Sequence, residues 1–126
     1  MKNQPLPTRD SQRSVVLTKA LLNVADKLGI NQASLSRILG TSQASITRMR
    51  SNAYDLAQHP KEWELATLLV RLYRGLDAIM AGDEKSTVAW MRNYNNDLHQ
   101  IPIEYISTIT GLTKTVDYVD AYRARV

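Results

Sequence analysis

The stretch from Ile30 to Arg50, INQASLSRILGTSQASITRMR, constrains the fold more than any other part of this chain. Asn31 can cap a first short helix, and Gly40 supplies the left-handed backbone that ends it and lets the chain turn sharply. Ser42 can then cap a second helix. Apolar residues fall at helical spacing on the inward faces of the two helices: Leu35, Ile38, Leu39, Ile46 and Met49. The pattern predicts a helix-turn-helix.

The outer face of the second helix carries side chains suited to the edges of base pairs. Gln can bind adenine through two hydrogen bonds, Arg can bind guanine in the same way, and the methyl groups of Ala and Thr can touch thymine. Gln32, which begins the first helix, is better placed for a phosphate. A helical hairpin with a solvated polar face is the alternative. The predicted DNA contacts are Gln32, Arg37, Ser42, Gln43, Ala44, Ser45, Thr47, Arg48 and Arg50.

The charge distribution favours the same interpretation. Residues 1–50 hold eight Lys/Arg and two Asp/Glu, whereas residues 51–126 hold eight and ten. A basic patch attracts phosphate groups and supplies most of the non-specific affinity for DNA. A single Lys or Arg could equally be a solvated charge without a partner, so only the asymmetry as a whole carries the argument. The half that contains the helix-turn-helix is therefore the half expected to face DNA.

The helix-turn-helix stretch closely resembles the Xre family of repressors, whose fold is similar to that of λ repressor and Cro. The match covers the pattern IxQxxLxRxLGxSQxxIxRM without a gap. Two residues depart from the usual pattern: Ser36 stands where Ala is usual, and Thr41 where Val is usual. The resemblance implies that Gln32 contacts the DNA backbone and braces Gln43.

The rest of the chain is predicted to be helical. Residues 1–13 contain two prolines and many polar groups, and they are predicted to form a flexible arm. Ser14 to Leu28 should form the first helix, with Val16, Ala20 and Val24 in its inward row. Four later helices are predicted from apolar spacing and from Pro and Gly positions: Pro60 to about Met80, one after Asp83 that carries Trp90, Pro102 to Gly111, and Thr115 to Val126.

The long helix that begins at Pro60 has more apolar residues than one core needs. Repressors of this type bind two half-sites as two-fold dimers, which predicts that the surplus apolar face meets a second copy of the chain. The residues assigned to this dimer interface are Leu69, Val70 and Tyr73. A fully buried central helix explains the same residues equally well.

The C-terminal half resembles the toxin-binding domain of the Xre/MbcA/ParS antitoxins. The resemblance rests on Trp90, Met91, Asn95, Leu98, Pro102, Gly111, Val116 and Val119 in this order, before an Arg-rich end. It implies an antitoxin that represses its own operon through residues 14–82 and binds a RES-domain toxin, encoded in the same operon, through residues 83–126. Such toxins consume NAD or transfer ADP-ribose from it. The implied toxin contacts are Trp90, Val116, Val119, Tyr122, Arg123, Arg125 and Val126.

Other functional classes fit the sequence less well. There is no Cys, no Gly-rich phosphate loop and no closely spaced set of His and carboxylate residues, so we expect no enzyme, no metal and no cofactor. No segment is apolar enough to span a membrane, and no signal peptide precedes the first helix, which predicts a cytoplasmic protein. A stand-alone Xre-type regulator, with a C-terminal half for dimerisation or for an effector, is the main alternative. The expected architecture is all-α.

Overall fold

Helices dominate residues 9–125, the part of the chain that the computed structural model describes. Seven α-helices follow one another: α1 (Arg9–Leu28), α2 (Gln32–Leu39), α3 (Gln43–Arg50), α4 (Pro60–Ile79), α5 (Glu84–Arg92), α6 (Pro102–Tyr105) and α7 (Ile109–Arg125). A 3-10 turn, Leu56–Gln58, joins α3 to α4. These residues contain no β-strand beyond an isolated bridge between Asn95 and Gln100. The all-α prediction is confirmed.

The first helix begins earlier than predicted. Residues 9–13 are the first part of α1, so the expected arm is wrong for these residues, while residues 1–8 lie outside the described range. The buried face of α1 includes Ser14 and Thr18, and Val16 is 66% exposed. Thr18 can be buried because its hydroxyl donates to the Ser14 carbonyl oxygen at 2.7 Å. The apolar row centred on Val16 therefore predicted the wrong face for the N-terminal half of the helix.

Helix α4 is the centre of the core and packs against α1, α2, α5 and α7. Leu69, Val70 and Tyr73 are buried within the single chain, and the most exposed of them, Tyr73, is 9% exposed. The assignment of Leu69 and Tyr73 to a dimer interface is wrong, because the chain's own helices already enclose both side chains. Val70 is 5% exposed and lines a groove between α1, α4 and α7. The central-helix interpretation explains the surplus of apolar residues.

Helix α7 packs closely along α4. A Cβ atom added at Gly75 would lie 2.8 Å from Val119 Cγ1, so the absence of a side chain on α4 allows the two helices to approach. Val116 and Val119 are at most 2% exposed. The assignment of Val116 as a toxin contact is wrong, because its side chain is buried in the core. Val119 packs against Gly75 of α4.

The chain turns between α6 and α7 at a place the sequence did not predict. The helix expected from Pro102 to Gly111 is wrong: α6 is one turn long, and α7 begins at Ile109 and continues through Gly111. Gly111 does not end a helix. A Cβ atom at this position would lie 1.8 Å from the Tyr105 carbonyl oxygen, so glycine is required by the close approach of α6 and α7.

Candidate functional site

The turn between α2 and α3 has the local geometry that its residues predict. Asn31 accepts a hydrogen bond from the Ser34 amide at 2.8 Å and so caps α2. Gly40 has a φ of +67°, which L residues rarely adopt, and its amide donates to the Arg37 carbonyl oxygen. Ser42 accepts from the Ser45 amide at 3.1 Å and caps α3. Both caps and the turn are confirmed, and together they fix the angle between the two helices.

Gln32 braces the first turn of α3. Its amide nitrogen, Nε2, donates to the Gln43 carbonyl oxygen and to Thr47 Oγ1, both at 2.7 Å. The contact is therefore with the backbone of Gln43 and not with its side chain. Because the brace uses the backbone, the Gln43 side chain remains exposed beside those of Ala44, Thr47 and Arg48.

Ser45 supports the outer face of α3 instead of belonging to it. Its side chain is buried, and its hydroxyl lies 3.0 Å from Ser42 Oγ and accepts from Arg48 Nη2 at 3.2 Å. We therefore correct its assignment as a DNA contact, because a buried hydroxyl cannot reach a base edge. The Arg48 guanidinium carbon also lies 5.7 Å from the centre of the Tyr54 ring. Ser45 and Tyr54 together position the guanidinium group of Arg48.

Tyr54 is anchored in turn. Its hydroxyl donates to Glu62 Oε1 at 2.7 Å, which ties the loop after α3 to α4. Burial, and then the hydrogen bond to Glu62, raise the pKa of Tyr54 above its ordinary value, so the phenol stays neutral and keeps its proton as a donor. The position of Arg48 on α3 is therefore linked to the central helix.

Two further arginines of the predicted set are exposed but partnered. Arg50 forms a two-pronged ion pair with Asp26 of α1, with 2.9 Å between Nη2 and Oδ1. Arg37 donates to Ser34 Oγ at 3.1 Å. Asp26 compensates the charge of Arg50, so of the two, Arg37 carries the stronger positive potential toward a phosphate.

A second candidate surface is an apolar groove of about 350 Å³ between α4, α5 and α7. It is lined by Leu76, Ile79, Met80, Trp90, Tyr118, Val119 and Tyr122, and we call it the aromatic groove. The Trp90 and Tyr118 rings lie side by side with centroids 6.3 Å apart. Tyr122 is 48% exposed at the rim. Trp90, Val119 and Tyr122 belong to the contacts that the family resemblance implied, whereas Tyr118 was missed.

Tyr118 is held by a hydrogen bond at the edge of this groove. Its hydroxyl donates to Asp97 Oδ2 in the loop between α5 and α6. The hydrogen bond, followed by partial burial, raises the pKa of Tyr118 above its ordinary value. The loop and α7 are thereby joined on one side of the aromatic groove.

The two C-terminal arginines lie on different faces of α7. Helix α7 continues to Arg125, and Val126 lies outside the described residues. Arg123 lines a groove shared with α1 and α4, whereas Arg125 lines a cavity of about 140 Å³ beside Asp97 and Tyr122. Both side chains are exposed.

Arg92 connects the two candidate surfaces, and sequence reasoning missed it. Its Nη2 atom donates to the carbonyl oxygens of Leu28 and Gly29, at 3.1 and 3.0 Å, where α1 ends just before the helix-turn-helix. A cation near the C-terminal end of a helix is favourable because the carbonyl groups there lack partners and carry partial negative charge. The contact joins residues more than sixty positions apart, and no local sequence pattern could have indicated it.

Residues 9–125 include no group of three His, Cys, Asp or Glu side chains that could hold a metal ion. None of their helices is long and apolar enough to cross a membrane.

Comparison with known families matches both halves of the chain. A family model described as the antitoxin Xre-like helix-turn-helix domain matches residues 8–71. A second, described as the antitoxin Xre/MbcA/ParS C-terminal toxin-binding domain, matches residues 76–125. No curated protein matches the chain. The first match contains the whole of α2 and α3, and the second contains all residues that line the aromatic groove.

Proposed function

The chain belongs to the antitoxins that join an Xre-like helix-turn-helix domain to an Xre/MbcA/ParS C-terminal toxin-binding domain, and we propose that it represses its own operon through the first domain and neutralises a RES-domain toxin through the second. The observation that carries the first part is the exposed and braced outer face of α3. Gln43, Thr47 and Arg48 share this face, and Gln32 fixes the turn that presents it.

For operator binding, Gln43 and Arg48 are the proposed base-reading side chains. Both are exposed on a helix whose start is fixed by a cap and by a brace, which lowers the entropy lost when they meet a base edge. Arg37 is the proposed phosphate contact. Because helix-turn-helix proteins of this type bind two half-sites, we propose a two-fold dimer on the operator, formed by surfaces other than the buried face of α4.

For toxin binding, the aromatic groove, which Val119 helps to line, is the proposed docking surface in place of Val116. Aromatic side chains in a pocket contribute much of the binding energy of protein interfaces, and Trp90 and Tyr122 are accessible there. The RES-domain class of the toxin, which consumes NAD or transfers ADP-ribose from it, is proposed on the resemblance of the C-terminal half. Arg125, beside the groove, is the proposed polar contact.

Tyr122→Ala tests the docking surface, with Tyr94→Ala as the matched control, because Tyr94 is 58% exposed but does not line the groove. Loss of an interface hot spot costs about 2 kcal/mol or more, which weakens toxin binding about thirtyfold. Each variant is coexpressed with the toxin of its operon, and growth and cellular NAD are measured. Equal protection by the two variants would place the docking surface elsewhere. Toxicity with unchanged NAD and no ADP-ribosylated product would exclude a RES-type toxin.

Operator binding is tested separately with Gln43→Ala in a reporter driven by the operon's own promoter. We expect derepression, because a base-reading contact is worth about 1–3 kcal/mol. Gln12→Ala, which changes an exposed residue of α1, serves as the control. Full repression by the Gln43 variant would remove its base-reading role. A protein that protects against the toxin but never represses the promoter would contradict autorepression alone.

A further inference from the structure

Another cavity lies on the other flank of α7 from the aromatic groove. It has a volume of about 610 Å³ and is formed by α1, α4 and α7. Its apolar side chains are Val16, Leu17, Ala20, Trp63 and Val70, and its charged side chains are Arg13, Arg71, Arg74, Asp120 and Arg123. We call it the arginine groove. Neither the helix-turn-helix nor the aromatic groove contributes a residue to it.

Most of the positive charge in the arginine groove is not compensated. Arg71 is paired with Asp120, with 2.6 Å between Nη2 and Oδ2. Among residues 9–125, no carboxylate lies within ion-pair distance of Arg13, Arg74 or Arg123. The Arg13 guanidinium lies 5.8 Å from the centre of the Trp63 ring, which positions it at the wall of the groove. The surface thus combines three available guanidinium groups with an apolar floor.

This combination argues against two occupants. A second copy of the chain, packed face to face about a two-fold axis, would bring the same arginines near one another, and like charges across an interface are unfavourable. Duplex DNA would satisfy the arginines but would leave the apolar floor without a partner, since phosphate contacts make no use of Val16 or Leu17. Val16 is also among the most exposed large apolar residues of the described chain. A segment that carries both carboxylates and apolar side chains satisfies both parts of the groove.

We propose that the arginine groove binds an acidic, amphipathic segment of the toxin, with carboxylates on Arg13, Arg74 and Arg123 and apolar side chains on the floor. This inference rests on the proposed function. Helix α7 carries Arg123 on one flank and Tyr122 on the other, so a toxin that grips the end of α7 reaches both grooves. The toxin-binding surface then extends into α1, beyond the C-terminal family match.

The test is the affinity of purified antitoxin for its toxin, measured by calorimetry at low and high salt. The variant is Arg13→Gln with Arg74→Gln, and the matched control is Lys61→Gln, which removes an exposed positive charge of α4 outside the groove. We expect toxin binding about tenfold weaker for the double variant, with a smaller salt dependence, and unchanged for the control. Val16→Asp, at an exposed site, should also weaken binding because it adds a negative charge to the floor.

Each remaining outcome overturns the inference in a distinguishable way. Toxin affinity unchanged in both groove variants but lost in Tyr122→Ala refutes the arginine groove and leaves the proposed function intact. No binding of the toxin by the unmodified antitoxin refutes both. If the groove variants keep their toxin affinity but have a lower oligomer mass in light scattering, the groove binds a second copy of the chain. If only their operator binding is weaker, the groove binds DNA.

Discussion

Replacing Gln32 is the sharpest perturbation of the proposed DNA-reading surface. Gln32→Ala removes two 2.7 Å hydrogen bonds, to the Gln43 carbonyl oxygen and to Thr47 Oγ1. The net contribution of one hydrogen bond to stability is about 0.5–1.5 kcal/mol. Because the site is exposed, hydrogen bonds to water can replace part of the contribution of these two. We therefore expect the ordered first turn of α3 to lose about 1–2 kcal/mol of stabilising free energy. Because operator binding must then supply this free energy, the operator affinity should be about five- to thirtyfold weaker.

The comparison of two duplexes separates a brace from a phosphate contact. Fluorescence anisotropy at fixed salt measures the dissociation constants for the promoter duplex and for a scrambled duplex. A brace that orders α3 for base reading predicts a loss on the promoter and little change on the scrambled sequence. Gln32→Glu keeps the length of the side chain but removes its donor, so it should lose at least as much affinity. Equal losses on both duplexes, or full affinity of the Glu variant, would refute the bracing role.

Three further predictions concern stability, measured by urea unfolding. Arg92→Gln should cost about 1–2 kcal/mol, because the charged donor to the end of α1 is lost, and a smaller cost would show that water replaces it. Gly111→Ala should cost more than about 2 kcal/mol, because its Cβ would lie 1.8 Å from the Tyr105 carbonyl oxygen; a stable variant would contradict this close approach. Tyr118→Phe should cost about 1 kcal/mol below about pH 10. The hydrogen bond to Asp97 raises the pKa of the Tyr118 phenol in the folded protein. The cost of the substitution should therefore vanish as the pH rises through this raised pKa, and a pH-independent cost would contradict the hydrogen bond.

The helix-turn-helix could be predicted from the sequence because its determinants are local. Asn31, Gly40 and Ser42 each act within four residues of their own position, through a cap or a left-handed turn. The apolar spacing of two short helices adds to this signal. The bond from Gln32 to the Gln43 backbone spans eleven residues, and family resemblance indicated the pair but not the atoms.

The C-terminal half was harder to predict because its determinants are contacts between distant residues. Gly111 is required by the neighbouring backbone of Tyr105, although a glycine after an apolar run usually indicates a helix end. Val116 and Val119 are apolar at helical spacing, and spacing alone does not tell whether α4 or a partner covers them. The aromatic groove depends on the position of α5 against α7, which no local pattern contains.

The burial of Val116 and Val119 also changes how the two halves of the chain relate. Helix α7 covers the face of α4 that includes Gly75 and Leu76, while α1 and α2 pack against the same helix. Removing residues 76–125 would therefore expose part of the core that supports α3. Helix α5 strengthens this connection, because Trp90 faces the aromatic groove and Arg92, two residues later, holds the end of α1. A toxin that displaced Trp90 would therefore act on the same short helix that anchors the end of α1, just before the helix-turn-helix, and the two family domains share one core.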